Sequence, residues 1–95
     1  MDGAVERFVA RVGHWSDGRW ASAGRADRVF ALAQWLANAA ADAEGRQRRP
    51  VPRLQHDASL TDQVRVLTAD LVLAGAPEPV LRDAAEAILA TTRSL

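Results

Sequence analysis

"RADRVFALAQWLANAAADAE", Arg25 to Glu44, is the stretch whose reading decides the fold. On a helical wheel Val29, Leu32, Ala33, Leu36, Ala37 and Ala40 share one face, and Asp27, Gln34, Asn38 and Asp42 share the other. That spacing is the single apolar stripe of an amphipathic helix. Alanine is the strongest helix former. A stripe that mixes alanine with leucine also lets a neighbouring helix approach closely. Gly45 follows where a helix commonly ends in a left-handed residue. A long helix in so short a chain points to an all-helical protein.

Downstream, residues 46–58 read "RQRRPVPRLQHDA" and form a connector. Pro50 and Pro52 have no N–H to donate and stop a helix, and residues before proline prefer extended backbone. The connector is long enough to cross the length of a bundle and let the next helix run parallel to the first, although nothing in the sequence requires this. "SLTDQVRVLTADLVLAG" then places Leu60, Val64, Leu67 and Leu71 on one stripe. Ser59 with Asp62 matches a loose capping pattern, with Thr61 as an alternative cap, and Gly75 marks the end. The last stretch, "PVLRDAAEAILATTRSL", turns Val80, Ala84, Ala87 and Ile88 inward with Leu81 beside them. Pro79 suits the first helical position. Glu78 near the start and Arg93 near the end suit the helix dipole.

Upstream, Val5, Phe8, Val9 and Val12 recur at helical spacing in "DGAVERFVARVGHW". Asp2 is the expected N-cap and Gly13 the expected stop. In "HWSDGRWASAG" Ser16 is positioned to cap a short turn that carries Trp20, and Gly24 to end it. No alternating strand pattern occurs. The sequence therefore predicts one all-α domain over residues 1–95: a compact, four-helix bundle-like arrangement with one short extra helix near residues 16–23.

Composition narrows the function. The chain is 48% hydrophobic and 25% charged, with a formal net charge of zero, so no overall sign draws it to nucleic acid or to an acidic membrane. Every basic residue is arginine and alanine is the commonest residue, as a GC-rich bacterial genome would encode. The absence of cysteine excludes disulfides and thiolate chemistry. No signal peptide and no apolar run of the ~18 residues that a membrane span needs are visible, so a cytoplasmic protein is expected.

Catalytic signatures are missing. His14 and His56 each stand alone beside a break in the helical pattern, without a second ligand at metal spacing. Ser16, Ser22, Ser59 and Ser94 lie in no nucleophile-elbow context. No phosphate-cradling glycine loop and no dinucleotide fingerprint occur. Carboxylate pairs such as Asp83 and Glu86 fall on expected solvent faces. No enzyme activity, cofactor or metal is expected. A helix-turn-helix over residues 20–36 fails too, because the turn spacing is poor and the second helix buries its face instead of exposing base-reading side chains.

Binding signals remain. Trp15 and Trp20 bracket "SDGR" and are expected to close one end of the bundle. Trp35 sits at the edge of its helix's polar face, off the main stripe. Val66 and Leu73 lie nearly opposite the Leu60–Leu67–Leu71 stripe, where a surface helix carries polar groups. Either that helix is buried on two sides, or this edge meets a partner. The connector concentrates charge. Arg46, Arg48, Arg49 and Arg53 give residues 46–56 a charge of +4, while residues 1–45 carry −1 and residues 57–95 carry −3. Such a cluster is capable of contacting phosphates, although it holds no aromatic to stack on bases. The rival to such a contact is intramolecular neutralisation, for which the acidic C-terminal part is able to pair with the connector. The reading that follows is a small helical protein–protein interaction or accessory module. It would bind a protein partner or itself, as a homodimer, through Trp35, Val66 and Leu73. The alternative is a nucleic-acid or acidic-partner binder using the four connector arginines.

Overall fold

The computed structural model describes the backbone of residues 2–95 and the side chains of residues 3–95, so the Asp2 cap falls outside the described residues. Five helices follow in order: α1 (Asp2–Val12), α2 (Asp17–Ala21), α3 (Arg25–Ala43), α4 (Ser59–Leu73) and α5 (Glu78–Ser94). The described residues are all-helical or irregular, with no strand among them. The short extra helix is α2, where Ser16 has extended backbone and accepts the Arg19 N–H at 3.3 Å, as its sequence position predicts.

The apolar stripes meet in one core. Phe8 and Val12 of α1, Val29, Leu32, Ala33 and Leu36 of α3, Leu60, Val64 and Leu71 of α4, and Ala84 and Ile88 of α5 are all buried. Trp20 of α2 is only 1% exposed. An isolated helix of five residues is not stable in water, so α2 owes its form to the burial of this one indole.

Three helix ends differ from expectation. Gly24 does not end α2, which stops at Ala21 with Ser22 as its cap; it stands instead at the N-cap of α3, at φ +66°. Ser59 does not cap α4: it is already helical, Ala58 precedes it at φ −57° and ψ −25°, and no side chain caps the end. The free N–H groups are met by a tight turn instead. Ser59, Leu60 and Thr61 donate to the carbonyls of His56, Asp57 and Ala58 at 3.0, 2.9 and 3.3 Å. Pro79 is the second residue of α5 rather than the first, behind Pro77 at the cap and Glu78.

Gly45 ends α3 as expected, at φ +68°. Its N–H bonds the carbonyl of Asp42 at 3.2 Å, and the next N–H, of Arg46, reaches back to Ala41 at 2.9 Å. This six-to-one and five-to-two pair is a Schellman turn, and it reverses the chain. The connector then retraces α3 towards its start. Arg48 meets Asp42, Val51 meets Gln34, and Arg53 meets Asp27.

That return path sets the topology. α4 begins near the start of α3 and runs parallel to it, so that Asp70 of α4 ends up close enough to Arg46 to act on its charge. α5 turns back. Arg28 of α3 donates to the carbonyl of Ser94, at the far end of α5, at 2.6 Å. Val5 of α1 lies beside Val72, and Val12 beside Ala58, so α1 runs opposite to α4. The result is a four-helix bundle-like arrangement in which α3 packs most extensively on α4, and α1 on α5. Among the described residues, no helix is long and apolar enough to cross a membrane.

Candidate functional site

The connector's basic charge is largely spent inside the molecule. Arg48 grips Asp42 with two bonds, Nε to Oδ1 at 2.9 Å and Nη2 to Oδ2 at 2.6 Å. Arg46 binds Glu44 at 2.8 Å. Arg53 reaches Asp27 at 3.2 Å and Asp57 at 3.5 Å, and its guanidinium lies 4.9 Å from the centre of the Phe30 ring. The counter-charges therefore come mainly from α3 and its end, not from the acidic C-terminal part, which supplies only Asp57 as an ion-pair partner. Chain reversal at Gly45 is the physical reason, because it lays the connector along α3 and its acids. Of the four arginines only Arg49 has no ion pair among the described residues.

These pairs shift the acids. The hydrogen bond from Arg48 holds the Asp42 carboxyl below the ordinary aspartate value, and the hydrogen bond from Arg46 does the same for Glu44. A carboxyl lowered by folding adds stability that is present above its unfolded pKa and lost as pH falls through its folded value. The connector clasps should therefore persist through mild acid. An NMR titration should place the Asp42 carboxyl below the usual aspartate range, and Arg48→Ala should return it there. An Asp42 that titrates normally in the wild type would mean that the clasp does not form in solution.

Neutral groups fix the connector backbone. The carboxamide of Gln34 accepts the Val51 N–H at 2.8 Å and donates to the Arg49 carbonyl at 3.0 Å and to Asn38 at 2.9 Å. From the other side, Gln63 of α4 donates to the carbonyl of Pro52 at 3.0 Å. The connector thus lies over the seam between α3 and α4. It leaves a groove of about 520 Å³ lined by apolar groups such as Ala37, Val51, Leu54 and Val66, with Arg49 and Asp70 also on its wall.

The outer face of α4 is the second feature. Asp62, Arg65, Val66, Ala69, Val72 and Leu73 are all exposed and share this face. Leu73 is 85% exposed, Val66 58% and Val72 49%. α4 is therefore not buried on two sides, which removes one of the two readings of Val66 and Leu73. Val66 lines the connector groove together with Leu54. Val72 and Leu73 border a second groove against Val5 and Glu6 of α1. Sequence reasoning missed Val72 and Leu54. Val72 had a signal, since it lies on the same side of the wheel as Ala69. Leu54 had none, because its position depends on the path of the connector.

Trp35 does not join this face. It is 38% exposed and lines a separate groove between α3 and the start of α5, with Asn38, Asp42, Arg48, Pro77 and Val80. Trp15 and Trp20 close one end of the core as expected, edge to face at 4.9 Å. Arg19 and Arg25 lie over the Trp15 ring at 5.1 and 5.8 Å from its centre. His14 and His56 are both exposed, and no cluster of metal-ligating side chains occurs among the described residues. Comparison of the chain with protein-family models, with curated proteins and with solved structures gives no match.

Proposed function

We propose that this protein is a small helical interaction module, without catalysis of its own, that associates with a second copy through the outer face of α4. The observation that carries the reading is the exposure of Leu73, Val66 and Val72 on one face of a helix whose opposite face is core. Isolated surface leucines are ordinary. A row of three large apolar side chains on one helix, continued by Leu54 and Val5 beside it, is the kind of strip that association covers. A carboxylate placed at Leu73 would have to be desolvated in such a contact.

Anion binding through the connector has less support. A phosphate would compete with Asp27, Asp42 and Glu44 for three of the four arginines, which leaves Arg49 as the one cation that needs no exchange. Trp35 offers a further contact surface, on the α3–α5 side.

Light scattering tests the reading. The wild type is expected to have the mass of a dimer, and Leu73→Glu that of a monomer with unchanged helical content. Leu73 is exposed, so the substitution leaves the core intact. A wild type that stays monomeric at high concentration overturns self-association, and a Leu73→Glu dimer overturns the role of this face.

A further inference from the structure

We infer that the two copies pack α4 against α4 in antiparallel register, with Ala69 on the twofold axis. The inference deepens the self-association reading and rests on it. Its ground is that the exposed face of α4 is self-complementary about Ala69. Val66 and Leu73 stand three residues before it and four after; Arg65 and Val72 stand four before and three after. In an antiparallel pair centred on Ala69, Val66 of each copy therefore faces Leu73 of the other, and Arg65 of each faces Val72 of the other. A twofold interface needs this property, because the same patch must serve both sides.

The lateral sides agree as well. A twofold axis that lies in the interface, perpendicular to both helices, keeps each flank of α4 on the same side in the two copies. Val66 and Leu73 are seven residues apart and so lie within about 20° of each other around the helix. Val66 borders the connector groove with Leu54, while Leu73 lines the groove against α1, and Leu73 of the second copy meets Val66 beside Leu54. Arg65 and Val72 lie on the flank towards α1, where Glu6 lines the groove beside Val72. The register brings Arg65 of the second copy over Val72 with its guanidinium next to Glu6. Neither Glu6 nor Arg65 has an ion pair within its own chain among the described residues. The apolar stem of an arginine covering a valine while its head finds a carboxylate is a favourable arrangement for that side chain. At the axis itself, the small side chain of Ala69 permits the approach of about 8–10 Å between helix axes that close helix packing requires.

A parallel pairing has none of this. It would set Leu73 beside Leu73 and Val66 beside Val66, but also Arg65 beside Arg65 and Asp62 beside Asp62, like charges facing like.

The chain contains no cysteine, so engineered cysteines report register without background. A disulfide needs Cα atoms about 4.4–6.8 Å apart, which the antiparallel register supplies at the axis. Ala69→Cys is expected to cross-link to itself under mild oxidation. An equimolar mixture of Val66→Cys and Leu73→Cys is expected to give the mixed 66–73 product well above the proportion set by random pairing. Self-linked 66–66 and 73–73 products in excess would overturn the antiparallel register. So would an Ala69→Cys dimer that stays uncross-linked. Both of those results leave self-association standing, whereas a monomeric wild type in light scattering removes self-association itself.

Discussion

Trp20→Ala is expected to destabilise the protein by about 3–5 kcal/mol, the range for removing a large aromatic from a packed core. Trp20 is 1% exposed and meets Trp15 edge to face at 4.9 Å. Total stability for a chain of this length is on the order of 5–14 kcal/mol, so one substitution would remove a large part of it. The loss is concentrated in α2. That helix spans five residues, and Trp20 is its one buried side chain. Without it, only exposed hydrogen bonds from Arg25 to the Arg19 carbonyl and to Ser22 hold the turn against α3. Urea denaturation should show the midpoint falling, and a thermal scan should show Tm lower by more than ~12 °C. Trp20→Phe keeps a ring in the site and should cost much less. A change of under about 1 kcal/mol for Trp20→Ala would mean that α2 is not part of the cooperative core, since core truncations of this kind cost several times more.

The helices were legible because each announces itself locally. Val29, Leu32 and Leu36 need only their own spacing to show which way α3 faces. Gly45 needs only its place after the stripe to show where α3 stops. The start of α4 was not legible. Ser59 has the right residue type for a cap, but the turn at residues 56–58 already supplies carbonyls to the first N–H groups, so no cap is required. Local pattern gives candidate groups, and their partners decide which candidates are used.

The same division runs through the candidate site. The wheel placed Val66 and Leu73 opposite the core stripe, yet it could not say whether a neighbour covers them. Their exposure follows from the packing of α1 and the connector, which flank α4 without crossing its outer face. The arginines were legible as a cluster and misleading as a surface. Arg53 pairs with Asp27 across 26 residues of sequence, a contact that exists only because the connector folds back along α3. Charge counted by segment cannot see this. It set the connector against the C-terminal part, when the nearer acids lay on the helix that the chain had just left.

On the α3 side that return path is pinned by one carboxamide, and Gln34→Leu is expected to release it there. Pro50 and Pro52 leave Val51 as the single backbone donor between them. Its N–H finds Gln34 Oε1 at 2.8 Å, and the same side chain holds the Arg49 carbonyl at 3.0 Å. Leucine keeps most of the volume and removes both bonds. A half-buried N–H left without a partner costs about 1–3 kcal/mol, and the loss should appear as a lower denaturation midpoint. Global stability alone would not separate the clasp from packing, so hydrogen exchange at the Val51 amide is the sharper readout. It should be protected in the wild type and exchange rapidly in Gln34→Leu. Gln34→Glu should retain part of the protection, because a carboxylate still accepts the Val51 N–H while it can no longer donate to Arg49. The arginine pairs should respond in the same direction: once the backbone lifts from α3, Arg53 loses Asp27. The side chains that neutralise the connector are thus held in place by an uncharged residue on the polar face of α3. A Val51 amide that exchanges rapidly in the wild type would show instead that the ion pairs alone hold the connector, and Gln34→Leu would then leave the return path unchanged.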